Sequence, residues 1–400
     1  MTIKRKKQLI ILFVTLFMVT VGFGIILPIM PFFAQNLGAT ATDLGIIFAL
    51  FALMQFLSAP YWGKMSDKYG RRPIFLVGLI GFGASFVMIA VAQSLLALYL
   101  SRIFGGLLSA AVLPAAMAYV ADSTDSERRA AWMGYMGAAM NLGLIFGPAF
   151  GGFLGEVNPT TPFWAASFVI FLVAIFAFLF LPESKTKTDG ELEGQFQPAK
   201  ELLNIFESLK SPERKIYILG FFVNIALTVL FAISALYVSQ KFGFSESEVA
   251  LFFVAFAIFG AFGQGLVAAK LIKLWGEVYV TLTGLILAAF GFFVLLLAYD
   301  FFSLLALSAF LGLGSALIGP SITSLLSKRT SEEHQGHTMG VFNAYQSLGR
   351  VIGPIMGGAI FDKVGIEYPF VFSGIVLVLL SIFWGYSRNQ FSSSSIDAAD

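Results

Sequence analysis

Apolar runs of about 20 residues, the length that crosses a bilayer, recur along the chain with short polar breaks between them. They lie at 8–34, 44–62, 74–93, 95–120, 131–154 and 163–181, then at 215–239, 247–269, 278–298, 301–326, 337–360 and 367–387. The runs are apolar on every side rather than striped, and their length exceeds that of an ordinary core helix. The pattern predicts an all-α integral membrane protein with twelve transmembrane helices.

One break differs in kind from the others. The polar stretch from Pro182 to Arg214, with Lys185, Asp189, Glu191, Glu193 and Lys200, is expected to be a cytoplasmic connector, partly helical around 199–209. It divides the chain into a six-helix bundle at 1–181, a linker at 182–214, a second six-helix bundle at 215–387 and a cytoplasmic tail at 388–400. That tail, rich in serine from Ser392 to Ser395, is expected to be disordered.

The two bundles repeat each other at a shift of 206 residues, the distance from Gly70 to Gly276. Gly106 then falls on Gly312, Pro114 on Pro320 and Gly134 on Gly340, and NLGLIFGPAFGG from Asn141 falls on SLGRVIGPIMGG from Ser347. Self-similarity at a fixed offset marks a structural repeat. An even number of spans per half gives both halves the same orientation, so they are parallel repeats. Such a pair with a cavity at the midplane is the architecture of alternating access.

Composition narrows the class of protein. The chain is 58% hydrophobic and 12% charged, with a mean hydropathy of +0.85, whereas a soluble domain carries about 25% charged residues. A soluble fold, a disordered chain and a nucleic-acid binder are excluded. With no cysteine, thiolate metal sites, disulfides and cysteine nucleophiles are excluded as well. No metal site, cofactor or catalytic constellation is expected, and the phosphate loop of ATP-driven machines is absent from the sequence.

Charge placement sets topology. Of the 25 Lys and Arg residues, all but Lys241, Lys363, Arg102 and Arg350 fall on the side of the membrane that holds the N-terminus. By the positive-inside rule both termini are cytoplasmic. The basic cluster Lys4 to Lys7 precedes a run too long for a signal peptide, so the first run is a retained helix.

Between spans 2 and 3 stands GKMSDKYGRRP, Gly63 to Pro73. Gly63 and Gly70 allow close approach and a tight turn, and Asp67 lies among the cations Arg71 and Arg72. This segment resembles the loop signature of the major facilitator superfamily, with Met65 at a position the family fills with leucine. The resemblance implies a cytoplasmic latch built from Asp67, Arg71 and Asp122 at the end of span 4. The alternative is a plain set of topology-determining cations. The second half carries only a degenerate copy, AKLIKLWGE, with Lys273 at the position of Asp67.

Span 4 contains LYLSRIFGG, including Tyr99, and resembles the family's second signature, centred on Arg102. A guanidinium at that depth either faces the cavity or snorkels to the outer surface, about 10 Å away along the helix. Span 5 holds Gly143, Gly147 and Gly151 at four-residue spacing, with Pro148 and Gly152, a face suited to close helix packing. It resembles the signature of the superfamily's twelve-span drug:proton antiporters, the multidrug efflux transporters of the Bmr, NorA and tetracycline-exporter kind. The ending GIILPIMP of span 1 resembles that subfamily too. The resemblance implies a secondary exporter of hydrophobic or amphipathic small molecules in the cell membrane, coupled to protons. It implies a role in antibiotic resistance and no enzyme activity; a monomer in the lipid bilayer is expected.

Departures from the family concern the proton. No acidic residue falls near the middle of a span: Asp43, Glu156, Asp362 and Glu367 lie near outer ends. Span 7 offers only Asn224 and Thr228. Glu156 and Asp362, equivalent in the repeat, are candidate proton acceptors or else solvated helix ends. Asn343, Gln346, Ser347 and Arg350 share one face of span 11, at a depth where Arg350 matches Arg102. Two buried cations without a buried acid favour an anionic or zwitterionic group on the substrate, an alternative being an exporter or permease of an anionic metabolite, sugar or lipid. Arg350 otherwise satisfies carbonyls near Pro354 or pairs with an end-of-span acid. A receptor or scaffold that moves nothing is the remote third reading. Asn141, and aromatics such as Phe221, Phe231 or Phe252, complete the candidate cavity residues, and His334 and His337 are expected at the surface.

Overall fold

The computed structural model describes residues 3–184, 207–331 and 334–392, and among these every regular element is helical. Ten spans are unbroken helices: span 1 (Ile3–Asn36), 2 (Ala41–Tyr69), 3 (Arg71–Ala90), 5 (Ser126–Gly155), 6 (Thr161–Phe180), 7 (Arg214–Phe242), 9 (Glu277–Leu295), 10 (Phe301–Arg329), 11 (Gln335–Lys363) and 12 (Tyr368–Ser392). Among the described residues, 11 spans are long and apolar enough to cross a membrane by composition alone. The helix of 29 residues that falls short is span 11, diluted by Asn343, Gln346, Ser347 and Arg350. Large apolar side chains such as Phe153, Phe168, Leu179, Leu266 and Leu297 are more than 60% exposed. So much apolar surface is unstable in water and suits a lipid solvent.

Two spans are interrupted. Span 4 runs as Leu95–Ser109 and Val112–Ser123; Pro114 has no N–H to bond the carbonyl of Ala110, which frees the turn before it. Span 8 runs as Glu246–Phe262 and Ala269–Trp275 about a π-helical stretch, Gly263–Ala268, with two glycines in it. The expectation of one continuous helix at 95–120 is corrected in this respect. Span 2 is corrected too, since GKMSDKY is no loop. Its residues continue the helix to Tyr69, and the break is Gly70 alone, at φ +105°.

Packing divides the chain into two units. Met1–Ala39, Ile46–Pro198 and Ser245–Ala250 form the first, and Thr40–Gly45, Ala199–Phe244 and Leu251–Asp400 the second. The opening turns of spans 2 and 8 thus group with the opposite repeat, which the sequence boundaries do not anticipate. In the first unit span 1 packs on spans 5 and 6, and span 3 on spans 4 and 6. The second unit repeats this pattern, span 7 on 11 and 12 and span 9 on 10 and 12. The connector charges from Lys185 to Lys200 and the tail serines Ser393 to Ser395 lie outside the described residues.

The span 5 glycines set a close backbone contact with span 1. A methyl group on Gly147 would lie 2.6 Å from the Val21 carbonyl oxygen, one on Gly151 2.8 Å from that of Ile25, and one on Gly143 2.7 Å from that of Phe17. In the second unit Gly349 and Gly353 meet the carbonyl oxygens of Phe221 and Ile225 at 2.5 and 2.6 Å. Only glycine lets the backbones approach this closely. Pro148 lies against Gly24 without ending the helix.

Candidate functional site

Charge in the first unit concentrates where spans 2, 3, 4 and 6 end together. Gly70, in a left-handed conformation, turns the chain so that span 3 starts at Arg71. Two cations at a helix N-terminus oppose its dipole. Glu183, just beyond span 6, offsets them: its carboxylate accepts from the backbone N–H of Arg71 at 2.9 Å and of Arg72 at 3.1 Å. A methyl group on Gly70 would meet that carboxylate at 2.5 Å, so the glycine makes room for the cap.

The Arg71 side chain then joins two acids. It pairs with Asp67 one turn back and donates from Nε to Asp122 at 3.0 Å. Ser184 donates to the same Asp122 oxygen at 3.2 Å, and Tyr119 donates to the Pro182 carbonyl at 2.9 Å. Arg72 turns away, donating to the Phe178 carbonyl with its guanidinium over the Phe178 ring. The structure thus brings Asp67, Gly70, Arg71 and Asp122 together, with Arg72 at their edge. Gly63 differs: it lies within the helix of span 2, and among the described residues nothing lies within 4 Å of where its side chain would begin. Sequence reading missed Glu183, Ser184 and Tyr119. Glu183 was visible as the first acid after span 6, but it had been assigned to the linker.

The second unit carries a counterpart with its charges exchanged. At the shift of 206 residues, Arg71 corresponds to Glu277 and Asp122 to Lys328. Lys328 Nζ lies 2.5 Å from Glu277, and Ser324 donates to the same oxygen at 2.8 Å. The copy judged degenerate from its sequence therefore keeps the ion pair and inverts it.

Arg102 is 1% exposed, so its guanidinium is enclosed by protein rather than snorkelling to the outer surface. Its guanidinium carbon lies 4.2 Å from the centre of the Phe51 ring, and Nε, Nη1 and Nη2 are all buried without a hydrogen-bond partner among the described residues. A desolvated cation–π contact contributes about 2 kcal/mol, while each buried unmet donor costs about 1–3 kcal/mol. The ring contact alone does not balance the unmet donors.

Arg350 behaves differently, keeping accessible surface although protein surrounds most of its guanidinium. It is exposed and donates to Ser347 at 3.0 Å, one turn away on the face that also carries Asn343 and Gln346. Tyr99, Asn141 and Gln346 are half-buried. Asn224 donates to the Gly220 carbonyl at 2.9 Å and backs onto Gly349. Phe252 is fully buried, and Phe231 stacks with Phe253 and meets Phe256 edge-to-face. His334 and His337 are exposed, as expected.

The two outer carboxylates are not merely solvated helix ends. Asp362 accepts from the N–H of Ala41 at 3.1 Å, the N–H of Thr42 at 2.8 Å and the Thr42 hydroxyl at 2.6 Å, capping the start of span 2. Glu156 accepts from the Ser247 hydroxyl at the start of span 8.

A twofold-repeated bundle of apolar helices, with a charge network at one end and caps at the other, defines a polytopic membrane transporter. The chain belongs to the Major Facilitator Superfamily, whose family model matches it at residues 12–232 and again at 216–399. It is similar to Multidrug resistance protein 1 of Bacillus subtilis (strain 168), 31% identical over 95% of this chain and 97% of that one. It is also similar to Quinolone resistance protein NorA of Staphylococcus aureus (strain COL), 30% identical over 94% and 96%. Among solved structures, the bacterial homolog of the human lysosomal transporter Spinster, inward-facing and occupied, aligns with a TM-score of 0.80 at 16% identity, over 97% of this chain and 98% of that one. The human organic anion transporter MFSD10 aligns at 0.72 and 22%, over 95% and 99%. These structures bear on the fold alone. As a member of this transporter family the chain is not an enzyme.

Proposed function

We propose that this protein is a secondary exporter of hydrophobic and amphipathic small molecules, a multidrug efflux transporter working by alternating access and proton antiport. The observation that carries the reading is the glycine face of span 5, Gly143 to Gly152, seated on the backbone of span 1 at the position of the exporter signature. The alignment with multidrug and quinolone resistance proteins over nearly the full length supports it. In this proposal the protein is a monomer of the cell membrane, and the asymmetry of Lys and Arg supports cytoplasmic termini.

In this reading Asp67, Arg71 and Asp122, with Glu183 fixing the start of span 3, form a latch at the cytoplasmic side. Glu156 and Asp362 are the outward proton acceptors. Asp362 accepts three hydrogen bonds from Ala41 and Thr42 and so holds the start of span 2. Arg350, Gln346, Asn224, Asn141 and Tyr99 contribute polar contacts to substrate among the aromatic side chains.

Reconstitution into proteoliposomes tests the proposal directly. Dye or drug movement should follow an imposed pH gradient and collapse with an uncoupler. Transport that ignores the gradient would sink proton antiport.

A further inference from the structure

We propose that the closing half of span 8 is a binding surface for an anionic phospholipid, its headgroup on Lys270 and Lys273 and an acyl chain along Ile258, Phe262 and Leu266. The proposal concerns the lipid around the protein and stands whether or not the exporter reading does. Lys270 and Lys273 lie one turn apart on the last α-helical stretch of the span, Ala269–Trp275, and both are exposed. Span 8 ends there on the side of the membrane that holds most of the chain's cations. Among the described residues neither lysine forms an ion pair. The nearest acid along the chain, Glu277, is buried and already engaged by Lys328 and Ser324. Two ammonium groups at a membrane edge without a protein counter-ion suit the phosphodiester of a lipid, which a flexible point charge can meet from several directions.

The rest of the span supplies a track for the lipid tail. Ile258, Phe262, Leu266 and Lys270 recur every four residues, and the three apolar ones are 50%, 52% and 67% exposed. In a plain α-helix a spacing of four drifts around the axis, because a turn takes 3.6 residues. The π-helical stretch Gly263–Ala268 has wider turns and brings residues four apart closer into line. From Ile258 to Lys270 the stripe runs about 18 Å, enough for one acyl chain in its half of a hydrocarbon core about 30 Å thick. Exposed Gly265, with nothing among the described residues within 4 Å of where a side chain would begin, leaves a notch beside it. Trp275, 54% exposed, ends the span where an indole meets the headgroup region. The first repeat lacks this surface. At the shift of 206 residues Leu266 corresponds to Pro60 and Lys273 to Asp67, an acid paired with Arg71. The same exchange that takes the latch acid from the second repeat thus gives it a second outward lysine.

Tryptophan quenching tests the surface on the full-length protein in phosphatidylcholine nanodiscs. Brominated phosphatidylglycerol, or brominated phosphatidylcholine in parallel, is titrated into the disc, and the quenching that disappears in Trp275→Phe belongs to Trp275 rather than to the other tryptophans. Apparent affinity at Trp275 should favour phosphatidylglycerol by about tenfold, the scale of two lysines facing an anionic lipid. Lys270→Gln combined with Lys273→Gln should bring the two lipids within about twofold of each other. Arg128→Gln combined with Lys210→Gln removes the same charge from exposed residues elsewhere on that side of the membrane and should leave the preference unchanged. Equal quenching by the two lipids in the wild type, an undiminished preference without Lys270 and Lys273, or the same loss in both double variants overturns the proposal. If the variants do not fold, the wild-type comparison decides alone. Dye export is measured separately: a protein that exports nothing but keeps the lipid preference counts against the exporter reading and leaves the lipid surface in place.

Discussion

The two repeats solve the same problem with opposite charges. In the first, span 3 begins with Arg71 and Arg72, cations at the positive end of a helix dipole, and the fold must bring in Glu183 to cap them. In the second, span 9 begins with Glu277, which already favours that end, and Lys328 neutralises it. At the shift that maps Arg71 onto Glu277, Glu183 maps onto Asn389, so the second repeat has no acid there. The first arrangement recruits spans 2, 3 and 4 and the residues after span 6, whereas the second joins spans 9 and 10. A network with more members can serve as a switch, because losing one partner strands the others.

The largest expected effect breaks this asymmetry from the first repeat. Asp67→Asn should abolish transport while leaving membrane insertion and ligand binding largely intact. Arg71→Ala, which strands Asp67, Asp122 and Glu183 together, should reduce transport at least about tenfold, the consequence of shifting a two-state balance by about 1.4 kcal/mol. Lys328→Ala should do less, within about threefold, because Lys328 is 67% exposed and Ser324 still donates to the buried Glu277 carboxylate. Proteoliposome flux, normalised to reconstituted protein, ranks the variants. Normal flux in Asp67→Asn would remove the latch, and equal losses in both repeats would mean that the second network also switches.

Much of this architecture was legible in the sequence because it is written in long-range periodicity. Hydropathy located the twelve helices, and the shift of 206 residues paired them. The glycine spacing in span 5 anticipated a close helix contact, and Gly147 against Val21 is that contact. What escaped depends on complementarity rather than identity. Matching by identity passed over Glu277 and Lys328, since an inverted ion pair shares no residue with its original. Glu183 escaped because its partners are backbone N–H groups, which leave no mark in a sequence. Helical phase put Arg350 beside Ser347 but could not give its exposure.

A smaller effect sharpens the comparison at the helix starts. Gly70 and Gly276 both precede the helix in a left-handed conformation, at φ +105° and +79°. Alanine at either position incurs backbone strain of about 1–3 kcal/mol. Only at Gly70 does the added methyl group also strike an acid, Glu183, at 2.5 Å, whereas nothing lies within 4 Å at Gly276. Thermal unfolding in detergent should therefore place Gly70→Ala below Gly276→Ala. Glu183→Gln, which weakens the cap without adding bulk, should narrow the gap between them when combined with each. Equal losses for the two alanine variants would show that Glu183 gives way freely and that the cap contributes little.

The smallest effect lies at the opposite ends of spans 4 and 10, where the repeats again differ in charge. Ser94 caps span 4 by accepting from the Ala97 N–H at 3.3 Å. Its counterpart Asp300 caps span 10 by accepting from the Ser303 N–H at 2.8 Å, and the Ser303 hydroxyl closes the reciprocal half of a capping box. The bonds from Ser303 hold the Asp300 carboxyl below its ordinary range. A carboxylate whose folded value is depressed contributes stability that is complete above its unfolded value and fades as pH falls through the folded one. Ser94 does not titrate. Asp300→Ala should therefore lower the unfolding temperature slightly at neutral pH, with the difference from wild type shrinking toward zero in strong acid, while Ser94→Ala should give a small loss that is independent of pH. A pH series of melting curves distinguishes the two, and a flat difference for Asp300→Ala would mean that the capping box acts through its geometry and not through its charge.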